Sequence, residues 1–366
     1  MEARKENNME YRYLGRTGVK VSALSYGNFV NSKDEGSQKL TTDCIRKCLE
    51  YGVNFFDTAE GYAHGAAETL MGNAFKEIGV KREDIVISTK IYFMGILVPG
   101  ASPNSVGLSR KHIIEGTKNS IKRLQCDYVD VIYAHRPDFQ TPLEETCRAF
   151  SWLIDQGLAF YWGTSEWSAA RLSQAIELCK HLNLHAPIVE QPEYNMINRE
   201  NFEEKMRPLY EQYGLGTTCW GPLAGGILTG KYNSGVVPED TRMANDPISK
   251  NFTLPRFFGP TKKDETLRLL NAIGDIAKEI GCTQVQLALA WNLANKDVST
   301  LLLGFSRVEQ IDENMKALDV YKKWTKEIEA KCEAALKNAP TTEIDCKELI
   351  PLEPRRKVAL KADAKQ

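Results

Sequence analysis

The stretch YVDVIYAHRPDFQTPLEETCRAFSWLIDQGLAFYWGTS, residues 128–165, decides the fold. Its two ends, YVDVIYAH (128–135) and FYWGTS (160–165), are short and apolar with little in/out alternation. Strands of a parallel sheet that is covered on both faces have that look. Between them, Thr141-Pro142 supplies an N-cap and an N1 proline, and Glu144 completes a capping box. Leu143, Cys147, Phe150 and Ile154 then share one helical face, and Gly157 stops the helix. The unit reads as strand, helix, strand.

The same rhythm extends in both directions. Further apolar runs are VNFFDTA (53–59), DIVISTK (84–90), PIVEQ (187–191), GTTCW (216–220) and STLLLGF (299–305). A strand at Ser22–Gly27 brings the expected number to eight. Helices separate the runs. One carries the stripe Ile113, Ile114, Ile121 and Leu124, and another, VQLALAWNLA, is apolar nearly all round behind a Thr283/Gln286 capping box. Eightfold strand–helix alternation is the signature of an α/β fold of the (β/α)8 (TIM) barrel type. A doubly wound sheet is the alternative. To bind a dinucleotide it would need a G-x-G-x-x-G turn after its first strand, and none is present. Ahead of the barrel, YRYLGRTGVKVSAL (11–24) reads as a β-hairpin turning at Thr17-Gly18.

Two stretches interrupt the rhythm. Met94–Leu108 and Thr229–Lys263 are rich in Gly, Pro, Ser and Asn and read as long loops, which either cover a site or are disordered. The second is expected to fold over a bound ligand as a lid. Residues 1–10 read as a flexible N-terminus, 11–340 as the barrel and 341–366 as a basic, flexible tail.

Composition narrows the function. At 366 residues the chain is long enough for two or three domains, but a single barrel accounts for it. Lys plus Arg (47) nearly balances Asp plus Glu (48), so no net field recommends a nucleic-acid or anionic-membrane partner. No apolar run reaches the ~18 residues of a spanning helix, and MEARKENNME lacks the apolar core of a secretory signal. The nine cysteines are odd in number, scattered and without C-x-x-C. Even Cys44 and Cys48, four apart on a helix, have no His near them to complete a metal site. Reduced thiols of a cytoplasmic protein are expected.

Functional groups of such a barrel lie at the carboxyl ends of its strands. Asp57, Lys90, His135, Ser165, Glu166, Gln191 and Ser306 fall there, with Tyr62 five residues after Asp57 in DTAEGY. Singly, Asp57 reads equally well as a helix cap, Lys90 as a snorkelling surface residue and His135 as a core imidazole. Together they make a proton-donating site. A phenol is a poor acid at neutral pH until an ammonium stabilises its anion, and a carboxylate keeps a buried ammonium charged. His135 beside Tyr62 would orient a carbonyl oxygen. The set has no nucleophile and no metal-ligand cluster. It suits C=O reduction with hydride supplied by a cofactor.

GRTGVKVS, NFFDTAEGY, ISTK, GLSRKHIIEG, DYVDVIYAHRPD, TPLEET, YWGTSEW, EQPEYN, GPLAGGILTGKY and LLGFSRVEQIDEN stand here in order. In these motifs the chain resembles the aldo-keto reductases from about Tyr11 to Pro340. The branch it looks most like holds the β-subunits of voltage-gated potassium channels and their plant relatives. The resemblance implies a TIM barrel that binds NADPH without a Rossmann fold and reduces carbonyls. It places the catalytic tetrad on Asp57, Tyr62, Lys90 and His135. Tyr62 would be the acid, Lys90 its electrostatic partner, Asp57 the anchor of Lys90, and His135 the group that orients the carbonyl. Animal channel subunits carry Asn at the position of His135, so this departure favours an active reductase.

Cofactor positions carry over in the same way. Ser165 and Gln191 would hold the nicotinamide carboxamide, with Asp57 nearby, and Trp220 would stack on the ring. Gly221, Pro222, Leu223, Ala224 and Gly225 would run along the pyrophosphate with Lys231. Arg242, Gly304, Ser306, Arg307, Gln310, Glu313 and Asn314 would take the adenosine end. Lys231, Arg242 and Arg307 favour NADPH over NADH, because a 2′-phosphate is bound well by Arg and Lys. Glu166 stands where animal subunits have Arg, and Gly221 where they have Ser. Phe29, Tyr92, Phe93 and Trp167 are expected to line the substrate mouth, which suits aromatic or bulky aldehydes and ketones. The same resemblance carries a second reading: a regulatory subunit of a voltage-gated potassium channel, tetrameric, that binds NADPH, senses redox state and docks beneath the membrane channel.

Overall fold

The computed structural model describes residues 8–29, 37–93, 102–247 and 249–341. Residues 94–101 of the first expected loop lie outside that range, as do residues 1–7 and all of the tail beyond Thr341. Eight parallel strands close into a barrel in the order β10-β3-β4-β5-β6-β7-β8-β9. They are β3 (Leu24–Gly27), β4 (Phe55–Asp57), β5 (Val86–Ile91), β6 (Val129–Ala134), β7 (Ala159–Ser165), β8 (Val189–Gln191), β9 (Gly216–Cys219) and β10 (Thr300–Leu303). Each overlaps its expected apolar run, with β5 reaching one residue further to Ile91 and β7 beginning one residue earlier at Ala159. A further boundary differs: Ser22 belongs to the hairpin, so β3 starts at Leu24.

The first five barrel strands are followed by α1 (Ser37–Glu50), α2 (Ala66–Ile78), α3 (Arg110–Leu124), α4 (Leu143–Asp155) and α5 (Ala169–His181). Next come α6 (Arg207–Tyr213), the short α7 (Arg242–Asn245) and α8 (Leu254–Phe258), then α9 (Lys263–Ile280) and α10 (Gln284–Ala294). After β10 the chain runs through α11 (Glu309–Met315), α12 (Ala317–Lys322) and α13 (Lys326–Leu336). Among the described residues no helix is long and apolar enough to cross a membrane.

Side chains of a strand alternate between its two faces, and this sorts the core into two layers. Phe55, Val86, Val131, Tyr133, Val189 and Leu302 point inward and pack together inside the barrel. Their neighbours Phe56, Ile87, Ile132 and Leu301 point outward into the larger core beneath the helices. The hairpin, β1 (Tyr11–Tyr13) with β2 (Lys20–Ser22), closes the floor. Leu14 and Val21 are fully buried in the inner layer. The hairpin turn also donates from Arg16 N to Gly214 O at 2.9 Å.

Two local expectations fare differently. The Thr283/Gln286 box is formed, with both reciprocal bonds at the start of α10. The Thr141/Glu144 box is not. The Thr141 hydroxyl donates to Asp138 Oδ2 at 2.7 Å, and Pro142 stands at the N-cap without a side-chain bond. Asp138 wins because it gathers Leu108 N (2.9 Å) and Gln140 N (2.9 Å) as well. Burial would raise its carboxyl pKa, but these hydrogen bonds outweigh burial and hold it below the ordinary value. The stretch Thr229–Lys263 is likewise no structureless loop, for it contains α7 and α8. Tyr232, Met243 and Phe257 are buried and pin it to the core.

The hairpin's seat leaves no room for a side chain. A Cβ on Gly216 would lie 2.6 Å from Gly15 N and 2.9 Å from Leu14 C. Gly216→Ala is therefore expected to destabilise the fold by about 3 kcal/mol through overpacking. Urea unfolding would check this; an unchanged midpoint would mean that the hairpin seat is soft.

Candidate active site

The inward-facing register fixes the site. Counting by twos up the strands puts Asp57, Lys90, His135, Ser165, Gln191 and Trp220 in one layer at the carboxyl end of the barrel. Lys90 is fully buried, and Asp57 and His135 are nearly so. The Lys90 ammonium pairs with Asp57 Oδ2 and also donates to Thr58 O at 2.7 Å and to the Tyr62 hydroxyl at 3.4 Å. Asp57 Oδ1 accepts from Ser88 Oγ at 2.6 Å and from Gln191 Nε2 at 3.1 Å. Burial by itself would lower the Lys90 pKa. The charges of Asp57 and then Tyr62 reverse this and leave it raised, so Lys90 is a cation.

Tyr62 begins a single turn after β4 in which Ala63 (φ 45°), His64 (φ 54°) and Gly65 (φ 88°) are all left-handed. Such backbone persists only where its surroundings demand it, and it clusters at functional sites. The Tyr62 ring meets the His135 ring edge-on at 5.8 Å between centroids. His135 stands in the opposite state to Lys90. Burial first, then the Lys90 and Arg136 charges, push its pKa well below the usual value. Its imidazole is neutral at pH 7, and its buried Nδ1 has no partner among the described residues.

Phe29 lies against Tyr62 at 4.8 Å, and Phe93 against both Tyr92 and His135 at 4.9 Å. The fourth expected mouth residue, Trp167, is placed elsewhere. It is 1% exposed and packs into the core with the Arg171 guanidinium 5.2 Å from its ring. Position in the chain suggested the mouth, but the backbone bond from Trp167 N to buried Glu190 turns the residue inward.

Around the rim, Ser165 Oγ donates to Gln191 O at 2.9 Å, and the half-buried Trp220 follows β9. From there the backbone is left-handed at Gly221, Ala224 and Gly225. At Gly221 this conformation turns the chain out of the barrel. Pro222 and Ala224 are buried and Leu223 is half-buried. Lys231 and Arg307 are exposed and have no carboxylate partner among the described residues. Arg242 lies 5.0 Å from the Phe29 ring and 3.5 Å from Asp246. These three cations accompany the adjacent strand ends β9, β10 and β3. Gly304, Ser306 and Gln310 follow β10, and Gln310 Oε1 accepts from Ser306 N (2.9 Å) and Arg307 N (3.3 Å). Glu313 is half-buried and Asn314 buried on α11. This rim of open backbone, with Lys231 and Arg307 free of carboxylate partners among the described residues, offers the kind of groups that bind the phosphates of a dinucleotide.

Several contributors escaped notice in the sequence. Ser88 orients Asp57, and Glu60 accepts from Tyr92 N (2.8 Å) and bonds His112 Nε2 (2.9 Å). Arg136 donates to Ser165 Oγ at 3.1 Å. All three sit inside or beside the motifs singled out above, where proximity to Asp57, Lys90 and His135 is the only signal.

The chain belongs to the aldo/keto reductase family, whose model matches residues 24–337. It is 48% identical over 332 residues to a probable voltage-gated potassium channel subunit beta of Oryza sativa subsp. japonica. It is 49% identical over 332 residues to a protein of the same description from Arabidopsis thaliana. Both matches cover 91% of this chain and 98% of the relative. A putative voltage-gated potassium channel subunit beta of Schizosaccharomyces pombe is 47% identical, with 91% and 95% covered.

One carboxyl near this layer has a measurable signature. Glu190, on the outward face of β8, is fully buried, accepts from Thr164 Oγ1, and has its pKa pushed up to about 8 by burial. A carboxyl raised above its unfolded value binds a proton in the native state. Its stabilising contribution is full below about pH 4.5 and is lost as pH rises through about 8. Wild type should lose on the order of 3 kcal/mol from this group between pH 5 and pH 8. Glu190→Gln should flatten that slope in urea titrations, and parallel slopes would refute the assignment.

Proposed function

We propose that the protein is an NADPH-dependent aldehyde and ketone reductase in which Tyr62 is the general acid. The observation that carries this reading is a phenol within 3.4 Å of an ammonium that is itself locked to a buried carboxylate, beside a neutral imidazole. When bound, a reduced nicotinamide supplies hydride to the carbonyl carbon. Tyr62 then delivers its hydroxyl proton to the oxygen as negative charge develops there. Lys90 stabilises the phenolate left behind, and Asp57 keeps Lys90 charged where water cannot. Neutral His135 donates its ring N–H to the same oxygen and fixes its direction without adding charge.

Ser165, Gln191, Asp57 and Trp220 would hold the nicotinamide end. Residues 221–225 and Lys231 would follow the pyrophosphate. Arg242, Gly304, Ser306, Arg307, Gln310, Glu313 and Asn314 would take the adenosine and its 2′-phosphate. Phe29, Tyr92 and Phe93 give the mouth an apolar wall suited to aromatic or bulky carbonyls. Free thiols at all eight described cysteines fit a reducing cytoplasm.

A second reading is supported by the descriptions of the relatives. In it the protein is a homotetrameric regulatory subunit that binds NADPH and docks on the cytoplasmic part of a voltage-gated potassium channel. The two roles are compatible, because activity depends on a site and docking on a surface.

NADPH oxidation with an aromatic aldehyde tests the first reading. Tyr62→Phe should lower kcat at least ~100-fold while NADPH titration still shows binding; equal rates in both proteins would refute the acid role. Retention of the purified chain on an immobilised channel tetramerisation domain tests the second, and no retention would argue against docking.

A further inference from the structure

Glu166 is the first residue beyond β7, directly after Ser165, and its backbone is left-handed at φ 56°. A residue with a side chain rarely adopts that conformation, and it stays there only where its contacts over-determine it. Those contacts are specific. Glu166 Oε1 accepts from the indole Nε1 of Trp220 at 2.9 Å and from the backbone N of Glu193 at 2.6 Å. Glu193 is in turn bridged to Trp220 in parallel register. One carboxylate oxygen thus holds the edge of a half-buried indole together with the chain segment beside it.

The charge on that carboxylate is distinctive. Glu166 has no ion-pair partner among the described residues, whereas Glu193 is paired with Arg256 at 2.8 Å. Glu190 close by is kept largely protonated by burial, with the Glu166 charge adding to the effect. The uncompensated negative charge of this corner of the site is therefore that of Glu166. An oxidised nicotinamide ring is cationic and a reduced one is neutral, so a fixed anion at the ring's platform discriminates between them.

We propose that Glu166 is a positioning residue that fixes Trp220, and that its carboxylate biases the bound cofactor toward the oxidised, cationic nicotinamide. This rests on the reading that Trp220 receives the nicotinamide. The two halves separate by substitution. Glu166→Gln keeps an acceptor for the indole N–H and removes the charge. Glu166→Ala removes both.

Titration calorimetry of NADP+ and NADPH against wild type and both variants is the test. In Glu166→Gln the ratio of NADP+ to NADPH affinity should move about tenfold toward NADPH. For a two-electron couple that corresponds to about 30 mV in the potential of the bound cofactor. In Glu166→Ala the ratio should move likewise, both affinities should fall, and the near-ultraviolet tryptophan dichroism should weaken as Trp220 is released. An unchanged ratio in Glu166→Gln overturns the electrostatic half. Unchanged affinities and dichroism in Glu166→Ala overturn the positioning half. Wild type that binds neither dinucleotide overturns the inference together with the reading beneath it.

Discussion

Lys90 keeps a full positive charge at a position with no exposure to water, and the top of the barrel is arranged around that fact. Burying an ion costs several kcal/mol unless a counter-ion and well-aimed hydrogen bonds replace its hydration. Here the replacements come from different strands. Asp57 ends β4, Thr58 O follows it, Ser88 lies two residues before Lys90 on β5, and Gln191 reaches Asp57 from β8. Gln191 also touches Thr218 of β9, which pairs with Tyr133 of β6 one layer down. The charge is therefore compensated only when the barrel is closed. The chemistry proposed for Tyr62 and the closure of the barrel rest on the same bonds.

Below this polar layer the interior is mostly apolar, with the hydroxyl pairs Tyr133–Thr218 and Ser25–Thr300 inside it, and is sealed by Leu14 and Val21 of the hairpin. Above it the character changes again. The rim is made of left-handed backbone and exposed cations, with few apolar anchors, and local opening is cheapest in such regions. The segment carrying α7 and α8 crosses the rim on four footholds. Met243 and Phe257 are buried, Arg242 lies over Phe29, and Arg256 pairs with Glu193. Two of these are polar or cation–π contacts at the surface, which are individually weak. That combination suits a cover that must admit a ligand and then hold it.

The periodic parts of this architecture were legible in the sequence. Each barrel strand falls on an apolar run because burial on both faces leaves no polar position to blur the signal. Counting by twos from those runs also places Asp57, Lys90, His135, Ser165, Gln191 and Trp220 on one face. Legibility stopped where one contact overrode a local rule. Thr141 has the spacing of a cap, but Asp138 captures its hydroxyl. Trp167 follows a strand end as a mouth residue would, yet Glu190 turns it into the core. The stretch 229–263 looks like a loop because its anchors, Tyr232, Met243 and Phe257, are too widely spaced to form a period. Glu166 had no assignable partner until the fold brought the Trp220 indole and the Glu193 backbone within reach. In each case the deciding partner is non-local or competes from just outside the motif.

Lys90 and His135 make the physical point most sharply. Both are bases, both are buried in the same layer, and burial drives both toward neutrality. Only one is given a carboxylate. Asp57 restores the charge on Lys90, and that restored charge then helps keep His135 neutral. A single anion thus sets two protonation states in opposite directions, and such divergence separates roles in acid–base sites. Protonated His135 would add a third cation beside buried Lys90 and half-buried Arg136. Neutral Lys90 would leave a phenolate at Tyr62 without its counter-charge. The arrangement that avoids both is the one observed, a cation next to the phenol and an uncharged donor across from it. In the proposed reaction the carboxylate that enforces it would act without touching the substrate.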